Sequence, residues 1–90
     1  MLFTPAETKV LIIGGGTMGA DVATVYARGG CATQVCELTT ERRVALPTYF
    51  ANQMAELGYE ERIHLLTTAG SLDEIDWSEV DLVVECIPNV

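Results

Sequence analysis

An apolar run, Val10-Leu11-Ile12-Ile13, leads directly into Gly14-Gly15-Gly16-Thr17-Met18-Gly19, and an alanine-rich stretch follows. This succession leaves the chain few options. A strand must turn sharply where three consecutive residues lack Cβ atoms, and the residues beyond favour a helix. The pattern is G-x-G-x-x-G between a strand and a helix, which is the context that makes this motif a dinucleotide-binding signal. Gly14 permits the tight turn, Gly16 lets the backbone approach a pyrophosphate, and Gly19 lets the helix pack closely on the strand. The helix N-terminus offers free N–H groups and positive dipole to the phosphates.

The rest of the chain extends the same unit. The spacing predicts a first strand over 8–13, apolar on both faces as in a central parallel strand. A helix follows from Thr17 or Met18 to about Arg28. Met18, Val22, Val25 and Tyr26 recur at helical spacing beside Ala20, Ala23 and Ala27. Gly29-Gly30 stops it. A second strand over 32–37 ends on Glu37. Thr39 or Thr40 caps a second helix that runs to about Leu57, with Gly58 as its stop. Pro47 predicts a kink or a break inside it. A third strand is expected over 63–68, then two short helical turns over 71–75 and 76–80, each opened by a capping residue. A fourth, buried strand falls within 81–87, and Pro88 ends it. The alternation argues for an α/β fold, the Rossmann-like first half of a parallel sheet in the order 3-2-1-4 with helices on both faces. The switch point lies between strands 1 and 4, above Gly14–Gly19, and Pro88 and Asn89 should face the same crevice.

Composition narrows the function classes. Ninety residues, 49% of them apolar, make one small packed domain. With five basic residues against thirteen acidic ones, the net charge is −8. That balance argues against a nucleic-acid surface and would repel an anionic cofactor at long range. Phosphate binding must therefore come from local backbone donors. No apolar run approaches the ~20 residues of a membrane helix, and the N-terminus lacks the pattern of a signal peptide. Cys31, Cys36 and Cys86 are odd in number and show no C-x-x-C spacing, so they read as reduced, mostly buried residues of a cytoplasmic protein.

Glu37 lies eighteen residues past Gly19, at the expected tip of strand 2. A carboxylate there accepts hydrogen bonds from the adenosine ribose and repels a 2′-phosphate, which favours NAD over NADP. Its bland reading is an exposed acid at a strand end. Arg42 and Arg43 bear on the same choice, with Arg42 counted among the cofactor contacts, although a solvated face of the second helix is their simpler role. Asp21, in the first turn of the phosphate-facing helix, should point to solvent. The only histidine, His64, falls on a short strand far from the switch point and reads as structural. No residue cluster has metal spacing, and no serine or cysteine has a nucleophile's partner. No catalytic residue and no metal site are expected in this chain.

Val10–Gly19, with Thr17-Met18 between the second and third glycines, resembles the opening of the NAD-binding domain of 3-hydroxyacyl-CoA dehydrogenases. Asp81-Leu82-Val83-Val84-Glu85-Cys86-Ile87 resembles that family's fourth strand, and Thr67-Thr68 followed by Ser71-Leu72 its third-strand segment. The resemblance covers nearly the whole chain, 1–90, which would be part of an NAD-binding domain. It implies that the full protein oxidises (S)-3-hydroxyacyl-CoA and passes hydride to NAD. It also implies that Gly14, Gly15, Gly16, Thr17, Met18 and Gly19 hold the pyrophosphate, Glu37 the ribose, and Ile87 and Pro88 the nicotinamide half. Three departures accompany it. Asn89 stands where the family has a second glutamate. The segment between Glu37 and Ile63, which in the family helps hold CoA, is shorter. The family's catalytic histidine and its glutamate partner would lie beyond Val90. An apolar strand 4 at the sheet edge invites self-association, so a homo-oligomer is expected. Two other readings fit the same residues. Gly14-x-Gly16-x-x-Gly19-x-x-x-Ala23 with Gly30 and Glu37 also suits the FAD-binding turn of flavoproteins. A non-catalytic nucleotide-binding or structural protein could keep the fold and lose the chemistry.

Overall fold

A computed structural model describes residues 4–87. Four parallel strands, β1 (Lys9–Ile13), β2 (Ala32–Cys36), β3 (Leu66–Ala69) and β4 (Leu82–Glu85), form one sheet in the order β3-β2-β1-β4. The two long helices are α1 (Thr17–Arg28) and α2 (Thr40–Glu56). Right-handed crossovers in one direction, β1 to β2 to β3, bring both helices to one face. There Val10, Ile12 and Val35 of the sheet pack with Ala20 and Ala23 of α1 and Leu46 and Phe50 of α2. The return from β3 to β4 crosses the opposite face by two 3-10 turns, Leu72–Glu74 and Trp77–Glu79, so helical elements flank both faces very unequally. Under those turns a smaller core gathers Leu11, Cys36, Ala69 and Ile75.

The α1 interface is made of small residues. Gly19, Ala20, Ala23, Thr24 and Ala27 are buried, whereas Met18 and Val25, expected on the packed stripe, are exposed. Helix and strand approach so closely at the glycine turn that only short side chains fit between them, and the larger ones are left outside. Both long helices end alike. Gly30 and Gly58 take positive φ, and the next N–H (Cys31, Tyr59) reaches back to the carbonyl of Tyr26 or Met54. This satisfies carbonyls that the helix would otherwise leave unpaired.

Several boundaries differ from expectation. α2 runs through Pro47 without a break. Pro47 is exposed, so the Arg43 carbonyl that loses its N–H partner lies on the outer side of the helix. The predicted third strand begins three residues late, because Glu60–Leu65 forms a 3-10 helix. Its apolar Ile63 packs on the main core from that turn, and the Arg62 guanidinium is bonded to the Arg28 carbonyl. Thr8 is the C-cap of the opening 3-10 turn, Pro5–Glu7, and lies outside β1. β4 is not buried. Leu82 and Val83 are exposed, because β4 is an edge strand whose outer side and second face are uncovered. Of the expected caps, Thr39 and Ser71 make no side-chain capping bond, whereas Asp76 accepts from the Ser78 N–H.

Candidate dinucleotide site

The site is built at the carboxyl ends of the strands, where β1 separates neighbours reached by opposite crossovers. The Gly14 N–H donates to the Cys36 carbonyl at the end of β2, and the Cys86 N–H donates to the Ile13 carbonyl from the end of β4. The glycine turn is therefore held between the two tips. Gly14 has φ 104°, a conformation that favours glycine, and a Cβ there would sit 3.0 Å from the Cys86 carbonyl oxygen. At Gly19 a Cβ would fall 1.8 Å from the Gly14 carbonyl oxygen. That near-contact of backbones sets the distance between α1 and β1.

Gly16 differs from its neighbours. It stands at the N-cap of α1 with extended backbone, and nothing lies within 4 Å of where its Cβ would be. No side chain caps this end of the helix. The N–H groups of the first turn therefore have neither intrahelical nor side-chain acceptors, and Thr17 and Met18 there are exposed. An anion at that position would gain both hydrogen bonds and the dipole field. The residues present thus fit a pyrophosphate, with Gly16 as the point of close approach and Thr17 and Met18, both exposed, beside it.

Glu37 is the second element. It follows β2 directly and is only 5% exposed. Its Oε1 accepts the Gly15 N–H and its Oε2 the Thr39 N–H, both at 2.7 Å. Burial pushes the carboxyl pKa up, but these two backbone donors, the Thr39 hydroxyl and the charge of Arg42 outweigh it, and the group ends below its ordinary value. The carboxylate joins the glycine turn to the start of α2, so the Gly15 N–H is turned inward rather than into the crevice. With these three donors on four lone-pair positions, the carboxylate keeps one position for an incoming hydroxyl.

Two clefts flank the turn. One, of about 280 Å³, is lined by Gly14, Gly16, Glu37, Leu38, Thr39, Arg42, Leu72, Cys86 and Ile87 among others. The other, of about 260 Å³, lies between the helices and is lined by Gly15, Gly16, Thr17, Ala20, Arg42, Ala45, Leu46 and Tyr49. The structure thus gathers Gly14, Gly15, Gly16, Thr17, Glu37, Arg42 and Ile87 around one point. Gly19 supports the turn from beneath, and Pro88 lies outside the described residues. Leu38, Thr39, Leu72 and Cys86 were missed by sequence reasoning. Leu38 and Thr39 could have been found from their place just after the acid at a strand tip. Leu72 could not, because only the β3-to-β4 crossover brings it there.

The remaining candidates lie elsewhere or are otherwise engaged. His64 sits on the 3-10 helix rather than on a strand, exposed, with Nδ1 2.9 Å from the Glu61 carbonyl oxygen. It borders a hollow with Lys9 and Ala32, at the amino ends of the strands and so across the sheet from the glycine turn. Asp21 is in the second turn of α1, not the first, and accepts a hydrogen bond from the Tyr49 hydroxyl, which ties α1 to α2. The Arg43 guanidinium donates to the Glu37 carbonyl at 2.9 Å. All three cysteines are free thiols. Among the described residues no group of three potential metal ligands occurs, and no helix is long and apolar enough to cross a membrane.

Comparison with known proteins agrees with this geometry. The family model described as "3-hydroxyacyl-CoA dehydrogenase, NAD binding domain" matches residues 9–90. No curated protein sequence matches significantly. Among solved structures, FadB2 of M. tuberculosis is similar at 27% identity and TM-score 0.72, over 88% of this chain and 30% of that one. The 3-hydroxybutyryl-CoA dehydrogenase of Escherichia coli K12 has 25% identity and TM-score 0.70, over 87% of this chain and 18% of its own. The (S)-3-hydroxybutyryl-CoA dehydrogenase PaaH1 of Ralstonia eutropha, at 20% identity, shares the fold with TM-score 0.76 over 91% of this chain and 31% of its own. The chain thus spans a third or less of these relatives.

Proposed function

The chain belongs to the family of 3-hydroxyacyl-CoA dehydrogenase NAD-binding domains, and from that premise we propose that it supplies the cofactor half of an enzyme that oxidises a 3-hydroxyacyl-CoA in fatty acid metabolism. The observation that carries this reading is the pairing of an uncapped, side-chain-free helix start at Gly16 with the Glu37 carboxylate, 2.7 Å from the neighbouring Gly15 N–H. NAD, when bound, supplies the hydride acceptor. The chain's own residues bind and orient. The backbone of Gly16, Thr17 and Met18 holds the diphosphate, Glu37 accepts a ribose hydroxyl, and Leu38 and Leu72 cover the adenosine side of the cleft. Arg42 adds positive charge beside the phosphates, and Ile87 lines the way towards the nicotinamide. No residue here is offered as the base that takes the hydroxyl proton. His64 is across the sheet, and that base belongs to the part of the enzyme that this chain does not span. The acyl-CoA substrate is supported by the family and by the E. coli relative, a 3-hydroxybutyryl-CoA dehydrogenase.

Two further parts of the reading concern assembly and setting. The exposed Leu82 and Val83 on edge strand β4 support self-association through that edge. Three unpaired thiols support a reducing, cytoplasmic setting. Calorimetric titration with NAD, ADP and adenosine tests the site. NAD and ADP should bind, adenosine much more weakly, because the phosphates make the principal contacts. Absence of NAD binding would overturn the assignment. The full protein, given a 3-hydroxyacyl-CoA and NAD, should form NADH.

A further inference from the structure

The chain segments that leave β2 and β3 part at the adenosine side of the dinucleotide cleft. Their last backbone bond runs from the Glu37 N–H to the Ala69 carbonyl at 2.9 Å. Beyond it, Leu38 leads to α2 and Gly70 to the crossover that carries Leu72. Leu38 is 69% exposed and Leu72 44%, and both line the cleft of about 280 Å³. The Arg43 guanidinium touches both departing segments. It donates to the Glu37 carbonyl at 2.9 Å, on the peptide that joins Glu37 to Leu38. It also lies against Gly70, where a Cβ would fall 2.8 Å from Arg43 Nη1 and 3.0 Å from its Cζ. Gly70 does not take a positive φ, so its backbone conformation does not call for glycine; the room taken by the guanidinium does. The Glu74 carboxylate accepts the Gly70 N–H at 3.0 Å and ties the start of the crossover to the turn Leu72–Glu74. Arg43 is half-buried in the first turn of α2, where a positive charge opposes the helix dipole. Helix stability therefore does not account for it.

We propose that Arg43 is a positioning residue for the adenine ring, a wedge that fixes the spacing of the two apolar cleft residues Leu38 and Leu72. Arg43 does not itself line the cleft. It acts through the peptide before Leu38 and through the glycine two residues before Leu72. A flat purine gains most from apolar walls whose separation is set before it arrives, because binding then has less loop and side-chain ordering to offset. A guanidinium suits the wedge. It is planar, so it lies flat on a residue without Cβ, and its charge strengthens the bond to a carbonyl. A lysine ammonium offers donors but no plane. This inference rests on the dinucleotide reading of the site and assigns the support of its base-binding end.

The test is calorimetric titration of the full chain with NAD, ADP and UDP. ADP and UDP share ribose and diphosphate and differ in the base, so their ratio reads the base-binding end alone. The parent should bind ADP at least about tenfold more tightly than UDP, because a purine buries more apolar area. Arg43→Ala should weaken ADP and NAD at least about fivefold and UDP less than about twofold, and Arg43→Lys should restore part of the loss. Gly70→Ala reaches the same wedge with Arg43 retained. Its Cβ displaces the far end of a flexible side chain, so thermal unfolding should stay close to the parent while the ADP preference falls. In the Arg43→Ala background, Gly70→Ala should bring no further loss, a non-additivity that a double-mutant cycle measures. Loss of ADP and UDP in equal proportion, a Gly70→Ala variant that binds ADP as the parent does, or a parent without preference for ADP would overturn the wedge and leave the dinucleotide site standing. Failure of NAD and ADP to bind the parent would remove the underlying site and the wedge with it.

Discussion

Alanine at Gly19 and alanine at Gly16 add the same methyl group three residues apart, and the structure predicts opposite consequences. At Gly19 the new Cβ would stand 1.8 Å from the Gly14 carbonyl oxygen and 2.9 Å from its carbon, where ordinary contact begins near 3.4 Å. The atoms in the way are backbone, so no rotamer change relieves the clash. α1 must move away from β1 by about 1.6 Å, or the turn must open, within an interface packed to crystal-like density. Overpacking of this kind costs about 3 kcal/mol or more. Set against the roughly 5–13 kcal/mol expected for a domain this size, that is a large fraction of the stability. At about 4–8 °C per kcal/mol, Tm should fall by about 12–24 °C. At Gly16 nothing lies within 4 Å and φ is −70°, which alanine adopts freely. The small loss of N-cap preference is offset by the reduced entropy of the unfolded chain, and stability should change by less than about 0.5 kcal/mol. NAD binding should nevertheless fall at least tenfold, because the methyl group fills the space the phosphates need. Circular dichroism melts and calorimetric titrations of both variants measure the contrast. Equal destabilisation by the two substitutions, or undiminished NAD affinity in Gly16→Ala, would refute the reasoning.

Three other outcomes follow from the same geometry. Glu37→Ala strands the Gly15 and Thr39 N–H groups and should cost about 2–4 kcal/mol in urea unfolding. Because the folded pKa of Glu37 is depressed, its contribution is complete above the unfolded carboxylate range and is lost as pH falls through the folded value. The parent should therefore lose more stability than Glu37→Gln on titration from neutral pH into the acid range, and parallel curves would contradict this. In thiol labelling of the native protein, Cys31 and Cys36 should react slowly. Burial raises both thiol pKa values, and the Glu74 and Glu37 carboxylates add to the rise at Cys36. Cys86, half-buried in the cleft wall, should react faster and be protected by NAD. Finally, Val83→Lys on the exposed edge strand should lower the apparent mass in concentration-dependent sedimentation, while a monomeric parent would remove β4 as an interface.

The sequence alone determined the order of elements, the parallel sheet and the place of the glycine turn. These follow from local rules: Val10–Ile13 can only bury itself as a central strand, three glycines can only turn, and the alanines after them favour a helix. It also located Glu37, because an acid at the tip of the next strand is a matter of spacing. Tertiary structure decided what those residues face. The two crossovers in one direction left the second sheet face to short 3-10 turns, which exposed a β4 that its apolar composition had marked as buried. The 1.8 Å constraint at Gly19 selected alanines for the α1 interface and put Met18 and Val25 outside. The hydrogen bonds of Glu37 fixed its carboxylate between the glycine turn and α2, and the approach of α2 to the glycine turn set Arg42 over two clefts while Arg43 was spent on the backbone. Periodicity records which positions are apolar. It carries no account of how closely two backbones approach, and that distance is what sorts buried from exposed and committed from free.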